Sequence, residues 1–224
     1  MIITDILTRN AAQYGDEVSL VEVNPELEAH YNLSWREFEL IEAHQTGSLR
    51  REITWREFDE QANRFANLLL SRGINKGDKV AILLMNCLEW LPLYFGVLRS
   101  GAVVVPLNYR YTAEEIRYCL GLSDAVALIF GAEFIDRMET ISHDLHAVRL
   151  CLFLGEGGPA FAENYCVLER EQSPAAPFFP IAPEDDAAIY FSSGTTGFPK
   201  AILHDHASLL SACYTEQNHH QQTR

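Results

Sequence analysis

Residues 53–84 read ITWREFDEQANRFANLLLSRGINKGDKVAILL and predict a helix followed by a buried strand. Thr54 and Glu57 have the T-x-x-E spacing of a capping box, in which two side chains satisfy free backbone amides at the start of a helix. Apolar residues then recur at helical spacing as far as Gly73, a residue type that commonly ends a helix. The apolar run KVAILL follows at residues 79–84. One face of the predicted helix must therefore be buried.

The alternation of amphipathic helix and apolar strand continues as far as residue 154. Helices are predicted at residues 88–100, 112–120 and 133–142, and strands at residues 102–105, 125–130 and 148–154. Trp90, Tyr94 and Phe95 lie at helical spacing and are expected in the core, and Thr112 with Glu115 forms a second capping-box pattern. Such alternation is typical of stacked β-α units. The predicted fold class is therefore α/β, with a doubly wound, largely parallel sheet and flanking helices.

Two segments interrupt this pattern. Residues 155–183 contain several glycines and prolines and predict a long surface connection. Residues 24–52 are predicted to be an insertion, and its sequence LSWREFE, which contains Trp35, nearly recurs as ITWREFD, which contains Trp55. Only the second copy continues into an apolar series at helical spacing. We therefore expect a buried Trp55 in the core helix and a peripheral Trp35 in a more mobile insertion.

The composition is that of an acidic globular protein. Apolar residues make up 48% and charged residues 21%, as in ordinary folded domains. Lys and Arg total 17 against 31 Asp and Glu, which gives a net charge of −14. A field of this sign repels phosphate backbones, so nucleic acid is not expected as a partner. Any site for an anion must then be local, made of backbone amides and one or two placed cations.

The sequence predicts a cytoplasmic protein without a membrane span. No run approaches the ~18 apolar residues that a spanning helix needs, and the N-terminus lacks a signal-peptide pattern. The five cysteines are scattered and include no C-x-x-C pair. This usage favours a reducing compartment.

The most informative segment for chemistry reads SSGTTGFPK over residues 192–200 and follows the predicted strand AAIYF at 187–191. Its glycines let the backbone approach a ligand with several amides facing anionic oxygens, and its hydroxyls add donors that rotate to fit. Lys200 supplies a cation for terminal phosphates. The segment is not a P-loop, because Gly197 is followed by Phe198 and not by lysine. It predicts either a polyphosphate-binding loop or a solvent-exposed turn without a ligand.

The residue order FSSGTTGFPK at 191–200 closely resembles the phosphate-binding signature of the adenylate-forming superfamily of AMP-dependent synthetases and ligases. Three earlier segments resemble the same superfamily in the same order: ITWREFDEQANRFAN at 53–67, GDKVAIL at 77–83 and LRSGAVVVPLNYRYTAEE at 98–115. The resemblance covers most of the chain after Ile53 and points most closely to acyl-CoA synthetases. It implies that residues 1–224 are an incomplete N-terminal domain of such an enzyme.

The resemblance also implies a two-step reaction. The carboxylate of an acid attacks the α-phosphate of MgATP to give acyl-AMP and pyrophosphate, and coenzyme A then takes the acyl group. A small-molecule carboxylic acid, ATP, Mg²⁺ and coenzyme A are thus the expected ligands. By the same resemblance, the hydroxyl of Thr195 is a candidate Mg²⁺ contact. The residues implied to hold the phosphates are Ser192, Ser193, Gly194, Thr195, Thr196, Gly197 and Lys200.

Some features depart from this pattern or leave alternatives open. Ala201 stands where the superfamily usually has glycine, and the catalytic residues are expected beyond the equivalent of Arg224, so residues 1–224 alone are expected to be inactive. Delivery to a carrier-protein thiol and a non-catalytic nucleotide-binding module are the alternative functions. His204 and His206 suggest a metal site, but no carboxylate or cysteine partner is placed with them, which favours a structural role.

Overall fold

A computed structural model describes residues 1–23, 49–192 and 198–220 of the chain. The helices are α1 (Thr4–Tyr14), α2 (Trp55–Ser71), α3 (Trp90–Arg99), α4 (Ala113–Leu122), α5 (Ile135–Ile141), α6 (Tyr165–Arg170) and α7 (His206–His219). The strands are β1 (Val18–Val23), β2 (Arg50–Thr54), β3 (Lys79–Leu83), β4 (Val103–Pro106), β5 (Ala125–Gly131), β6 (Leu150–Leu154), β7 (Glu163–Asn164), β8 (Asp186–Ser192) and β9 (Lys200–Asp205).

The central sheet has the strand order β7-β6-β5-β3-β4-β8-β9. Every neighbouring pair in it is parallel except β8 and β9, which run antiparallel. Helices α3, α4 and α5 connect β3 to β4, β4 to β5 and β5 to β6, as crossover connections require, whereas residues 155–162 join β6 to β7 without a helix. The predicted fold class, α/β with a largely parallel, doubly wound sheet, is confirmed.

Alternate residues of β3 enter two separate cores, one on each face of the sheet. Val80 and Ile82 pack in a cluster that also receives buried residues of α2, α3, α6 and α7. Ala81 and Leu83 pack in a second cluster with buried residues of α4 and α5. The strand is apolar at consecutive positions because both of its faces are covered.

Helix α2 begins and ends where its sequence signals predict. The Glu57 amide donates to the Thr54 hydroxyl over 3.2 Å, and the Glu57 carboxylate accepts from the Thr54 amide over 2.7 Å. Gly73 follows the helix with a φ of +71°, a left-handed conformation that glycine adopts without strain. The same reciprocal bonds link Thr112 and Glu115 before α4. Both predicted capping boxes are confirmed.

The hairpin of β1 and β2 includes the end of the predicted insertion at 24–52. Val23 is the register partner of Arg50 in this antiparallel pair, so residues 50–52 lie in a strand, and the insertion itself stays a prediction. Residues 24–48, including Trp35, lie outside the described part of the chain. Trp55 is the first residue of α2, as expected, but it is half-buried and not buried, since it lies at the helix end with its ring stacked on Phe58.

The predicted surface connection at 155–183 is wrong for part of its length. It contains β7 and α6, and the side chain of Tyr165 is buried with its ring edge-on to Phe65 at 5.5 Å. Helix α6 is too short to give a periodic apolar pattern, which is why the sequence signal is weak. Asn164 starts it by accepting a hydrogen bond from the Val167 amide.

The segment after α6 crosses α2 and is held to it by side-chain hydrogen bonds to backbone carbonyls. Asn63 donates to the carbonyl of Pro174, and Asn67 donates to those of Ser173 and Ala175. This arrangement fixes the path by which the chain reaches β8. Among the described helices, none combines the length and the apolar character that crossing a membrane requires.

Candidate phosphate-binding loop

Strands β8 and β9 hold the two ends of the predicted phosphate loop next to each other. Ser192, the last residue of β8, is the register partner of Lys200, the first residue of β9. Both residues are exposed. The predicted loop at 192–200 therefore begins and ends on strand residues, and the connection between the strands comprises residues 193–199.

Five of the seven predicted phosphate ligands are not among the described residues. The residues Ser193, Gly194, Thr195, Thr196 and Gly197 lie outside the described part of the chain. Their role, including the Mg²⁺ contact by Thr195, stays a prediction. Within the described residues, the structure brings together Ser192 and Lys200 at the base of the loop.

Ser192 and Lys200 lie at the edge of the sheet where ligands bind in open α/β folds. Strand β8 runs parallel to β4, which runs parallel to β3, so Ser192 lies at the carboxyl end of a parallel strand, with Lys200 opposite it. Binding sites in such sheets lie outside the carboxyl ends of parallel strands, because the connecting loops of neighbouring units meet there. The position supports the sequence prediction for this loop.

The last two residues of the connection before β9, Phe198 and Pro199, lie among the described residues. The ring of Phe198 lies against that of Tyr118 on α4, with centroids 4.7 Å apart and planes inclined by 40°. Pro199 is buried. The sequence gave no indication of the contact with Tyr118, because residues so far apart in the chain show no mutual pattern. The helical spacing of Ile116, Cys119 and Leu120, which are buried, indicates only that Tyr118 lies on the outer face of α4.

The side chains of Tyr94 and Tyr190 link helix α3 to strand β8 through their hydroxyl groups. The hydroxyls of Tyr94 on α3 and Tyr190 on β8 are 2.6 Å apart. Burial, together with the neighbouring Tyr190, raises the pKa of Tyr94, so its hydroxyl stays protonated at neutral pH. The ring of Trp90 stacks on Tyr94 at 5.5 Å, and His204 on β9 meets Tyr190 edge-on at the same distance. The expected core position of Tyr94 is confirmed.

The start of α7 is tied to the segment that precedes β8. Asp205 caps the helix by accepting a hydrogen bond from the Ser208 amide over 2.7 Å. The backbone amide of His206 donates to the carbonyl of Asp185, whose carboxylate forms an ion pair with Lys76. These bonds anchor the chain on the far side of β9 from the loop.

His206 lies almost wholly inside the protein, with 1% of its surface exposed. Neither ring nitrogen has a hydrogen-bond partner among the described residues. Burial lowers the pKa of the imidazole, although the carboxylates of Asp185, Asp205 and Asp5 act in the opposite direction. The described ranges contain no group of three His, Cys, Asp or Glu side chains that could hold a metal ion. His206 is therefore a buried, uncharged side chain at the start of α7.

Comparison with known proteins connects this geometry to a family. A family model described as AMP-binding enzyme matches residues 7–224. The chain belongs to the AMP-binding enzyme family. The match includes the segment 192–200 and the sheet that positions it, and it confirms the resemblance drawn from the motif.

Relatives in the AMP-binding family include several CoA ligases. A medium/long-chain-fatty-acid–CoA/3-oxocholest-4-en-26-oate–CoA ligase of Mycobacterium marinum is 31% identical over 171 residues, which are 73% of this chain and 31% of the relative. A crotonobetaine/carnitine–CoA ligase of Salmonella typhimurium is 36% identical over 169 residues, again 73% of this chain and 32% of the relative. A 3-hydroxybenzoate–CoA/4-hydroxybenzoate–CoA ligase of Thauera aromatica is 35% identical over 170 residues. The chain spans about a third of the length of these relatives.

Solved structures of similar proteins show the same fold. A putative long-chain-fatty-acid CoA ligase of Rhodopseudomonas palustris superposes with a TM-score of 0.77 and 26% identity, and the match covers 100% of this chain and 49% of that one. An anthranilate CoA ligase in complex with anthranoyl-AMP gives a TM-score of 0.76 and 27% identity, over 92% of this chain and 35% of that one. The AMP-binding fold of the chain is therefore that of the N-terminal part of such proteins.

Proposed function

We propose that the protein activates a carboxylic acid as an acyl-adenylate and transfers the acyl group to coenzyme A. The observation that carries the proposal is the pairing of Ser192 with Lys200, the first and last residues of the segment SSGTTGFPK, at the carboxyl end of strand β8. Membership of the AMP-binding family supports it, and so do CoA ligase relatives that act on different acids.

In this proposal the first step joins a carboxylate oxygen to the α-phosphorus of MgATP and breaks the bond to the β-phosphate oxygen. Pyrophosphate leaves and acyl-AMP forms. In the second step the thiolate of coenzyme A attacks the acyl carbonyl carbon, and AMP leaves. Phosphoryl chemistry of this kind depends mainly on positioning and on charge stabilisation. In this proposal the residues of the loop position the departing pyrophosphate and stabilise its negative charge.

Lys200 is the cation that the loop offers to the β- and γ-phosphates. A local cation is needed because the net charge of −14 opposes the approach of a polyanion. Ser192 lies beside it across the ladder, and residues 193–197 supply backbone amides and hydroxyls in the proposed site. Mg²⁺ enters as part of the substrate MgATP, with Thr195 as its proposed protein contact.

The acid is specified only by its carboxylate. The relatives are named for fatty acids, a steroid acid, crotonobetaine or carnitine, and hydroxybenzoates, which share little beyond that group. A medium- or long-chain fatty acid is the first substrate to test, since a ligase named for such acids is among the relatives.

The experiment separates nucleotide binding from catalysis. Titration calorimetry on the 224-residue chain should detect weak MgATP binding that Lys200→Ala reduces. Carboxylate-dependent exchange of labelled pyrophosphate into ATP should stay at background, because the superfamily resemblance places the catalytic residues beyond the equivalent of Arg224. The Salmonella typhimurium ligase serves as the positive control. A chain that binds no MgATP would refute the proposal, and robust exchange by the chain alone would show an active site within these residues.

A further inference from the structure

The contact between Tyr118 and Phe198 lies outside both cores of the sheet. The two rings are 4.7 Å apart, yet Tyr118 is 37% and Phe198 50% exposed. Neither residue belongs to the clusters that pack the faces of the sheet. An exposed aromatic pair of this kind adds little buried area to the fold, so its main effect is to join α4 to the end of the loop.

Helix α4 is a rigid support for this contact. Its start is fixed by the capping box of Thr112 and Glu115, and Ile116, Cys119 and Leu120 on its inner face are buried in the core. Tyr118 projects from the outer side of the same turn and is 37% exposed. A ring on such a helix can hold a neighbouring residue in place, because the cap and the buried inner face fix the position of the helix.

The chain between Phe198 and Lys200 is short and stiff. Pro199 lies between them, its φ is restricted by its ring, and it is buried. Lys200 then enters the ladder opposite Ser192. The position of the Phe198 ring therefore constrains the backbone that carries Lys200.

We propose that Tyr118 is a positioning residue for Lys200: it holds Phe198, and through Phe198 and Pro199 it sets where Lys200 meets the polyphosphate. The inference rests on the proposed function of Lys200. Preorganising Lys200 reduces the conformational entropy that MgATP binding costs. The contact thus raises the affinity for MgATP without touching the nucleotide.

The test compares MgATP binding by the 224-residue chain and its variants, measured by calorimetry. One aromatic pair corresponds to about a 2- to 12-fold change in an equilibrium constant, so Tyr118→Ala should weaken binding by about that factor. Tyr118→Phe keeps the ring and should bind as the wild type does. Phe198→Ala should lose as much as Tyr118→Ala, and the double variant no more than either. Independent losses that multiply in the double variant would overturn the inference.

Tyr214→Ala is the matched control, because Tyr214 on α7 is a tyrosine of comparable exposure, 40%. Its MgATP affinity should equal that of the wild type. Melting temperatures of all variants show whether a loss of binding reflects unfolding. Should Tyr118→Ala melt early, Phe198→Ala tests the same contact from the loop side. Unchanged affinity in Phe198→Ala would then overturn the inference.

A second readout needs no nucleotide. Trypsin cleaves after lysine, so the rate of cleavage between Lys200 and Ala201 reports how firmly this part of the chain is held. The rate should rise in Tyr118→Ala and Phe198→Ala and stay at the wild-type value in Tyr118→Phe and Tyr214→Ala. Equal rates in all variants would show that Tyr118 does not position the loop. Absence of MgATP binding by the wild type would instead refute the proposed function and leave the cleavage result valid.

Discussion

Ser192 and Lys200 are the last cross-strand partners of β8 and β9 before the loop that joins them. The two residues are thereby neighbours across the ladder at the carboxyl end of β8. The pairing brings the first and last residues of the sequence motif together in space, although seven residues separate them in the chain.

Lys200→Ala should weaken MgATP binding by an amount on the order of 1–3 kcal/mol, the worth of a charge-assisted contact. Lys200→Arg should retain part of the affinity, since it keeps the charge but not the geometry. Lys79→Ala is the control, because Lys79 begins β3 and lies at the amino end of the parallel strands. Equal affinities of Lys200→Ala and the wild type in calorimetry would remove Lys200 from the proposed site.

Phe65→Ala should destabilise the protein more than Trp55→Ala. Phe65 is fully buried, so its truncation should cost about 3–5 kcal/mol. Trp55 is half-buried at the start of α2, and its loss should cost about 1–3 kcal/mol. Trp35→Ala is expected to cost less than either. Urea unfolding followed by circular dichroism measures all three, and a larger loss for Trp35→Ala would contradict the prediction that its segment is peripheral.

The stability of the protein should fall as the pH falls through about 6.5, in part because of His206. The ordinary pKa of histidine, about 6.5, applies to the unfolded chain, whereas burial lowers the pKa of His206 in the folded protein. Between the two values the unfolded state binds more protons, so the free energy of unfolding decreases with decreasing pH. Around the ring, the carboxylates of Asp185, Asp205 and Asp5 reduce this effect and Lys76 adds to it.

His206→Leu should remove this part of the pH dependence while leaving the melting temperature at pH 7.5 little changed. The ring nitrogens have no partners among the described residues, so an apolar side chain loses no hydrogen bond there. His143→Gln is the control, because His143 is exposed. Melting curves from pH 5 to 8 provide the measurement. The same slope in wild type and His206→Leu would assign the pH dependence to other groups.

The surface formed by β9 and α7 should make the 224-residue chain associate with itself at high concentration. Ile202 and Leu203 on β9 are 46% and 53% exposed, and Tyr214 on α7 is 40% exposed. Strand β9 is also the last strand of the described sheet, and exposed apolar edge strands favour association. Leu203→Lys should lower the mean mass in sedimentation equilibrium. Phe178→Ser, which removes a fully exposed ring elsewhere, should not, and the opposite pattern would place the contact outside β9.

Most of the helices, the central strands and the family resemblance could be predicted from residues close together in the chain. The capping boxes of Thr54 and Thr112 act over three residues, and the apolar series of α2 and the run in β3 reflect burial on one or two faces. Such signals are local, so a linear reading recovers them. The residue types of the segment SSGTTGFPK fit either a polyphosphate-binding loop or an exposed turn, and its residue order adds the resemblance that favours the loop.

Features that depend on distant parts of the chain became visible only in three dimensions. The short helix α6 owes its place to Tyr165, which packs on Phe65 of α2, and local propensity gave no sign of that contact. The partnership of Tyr118 with Phe198 joins a helix surface to a loop that the sequence separates widely. Likewise, the pairing of Ser192 with Lys200 follows from the antiparallel turn of β9 against β8. Local patterns encode which face of an element is buried, whereas the packing of the whole chain selects which residues meet.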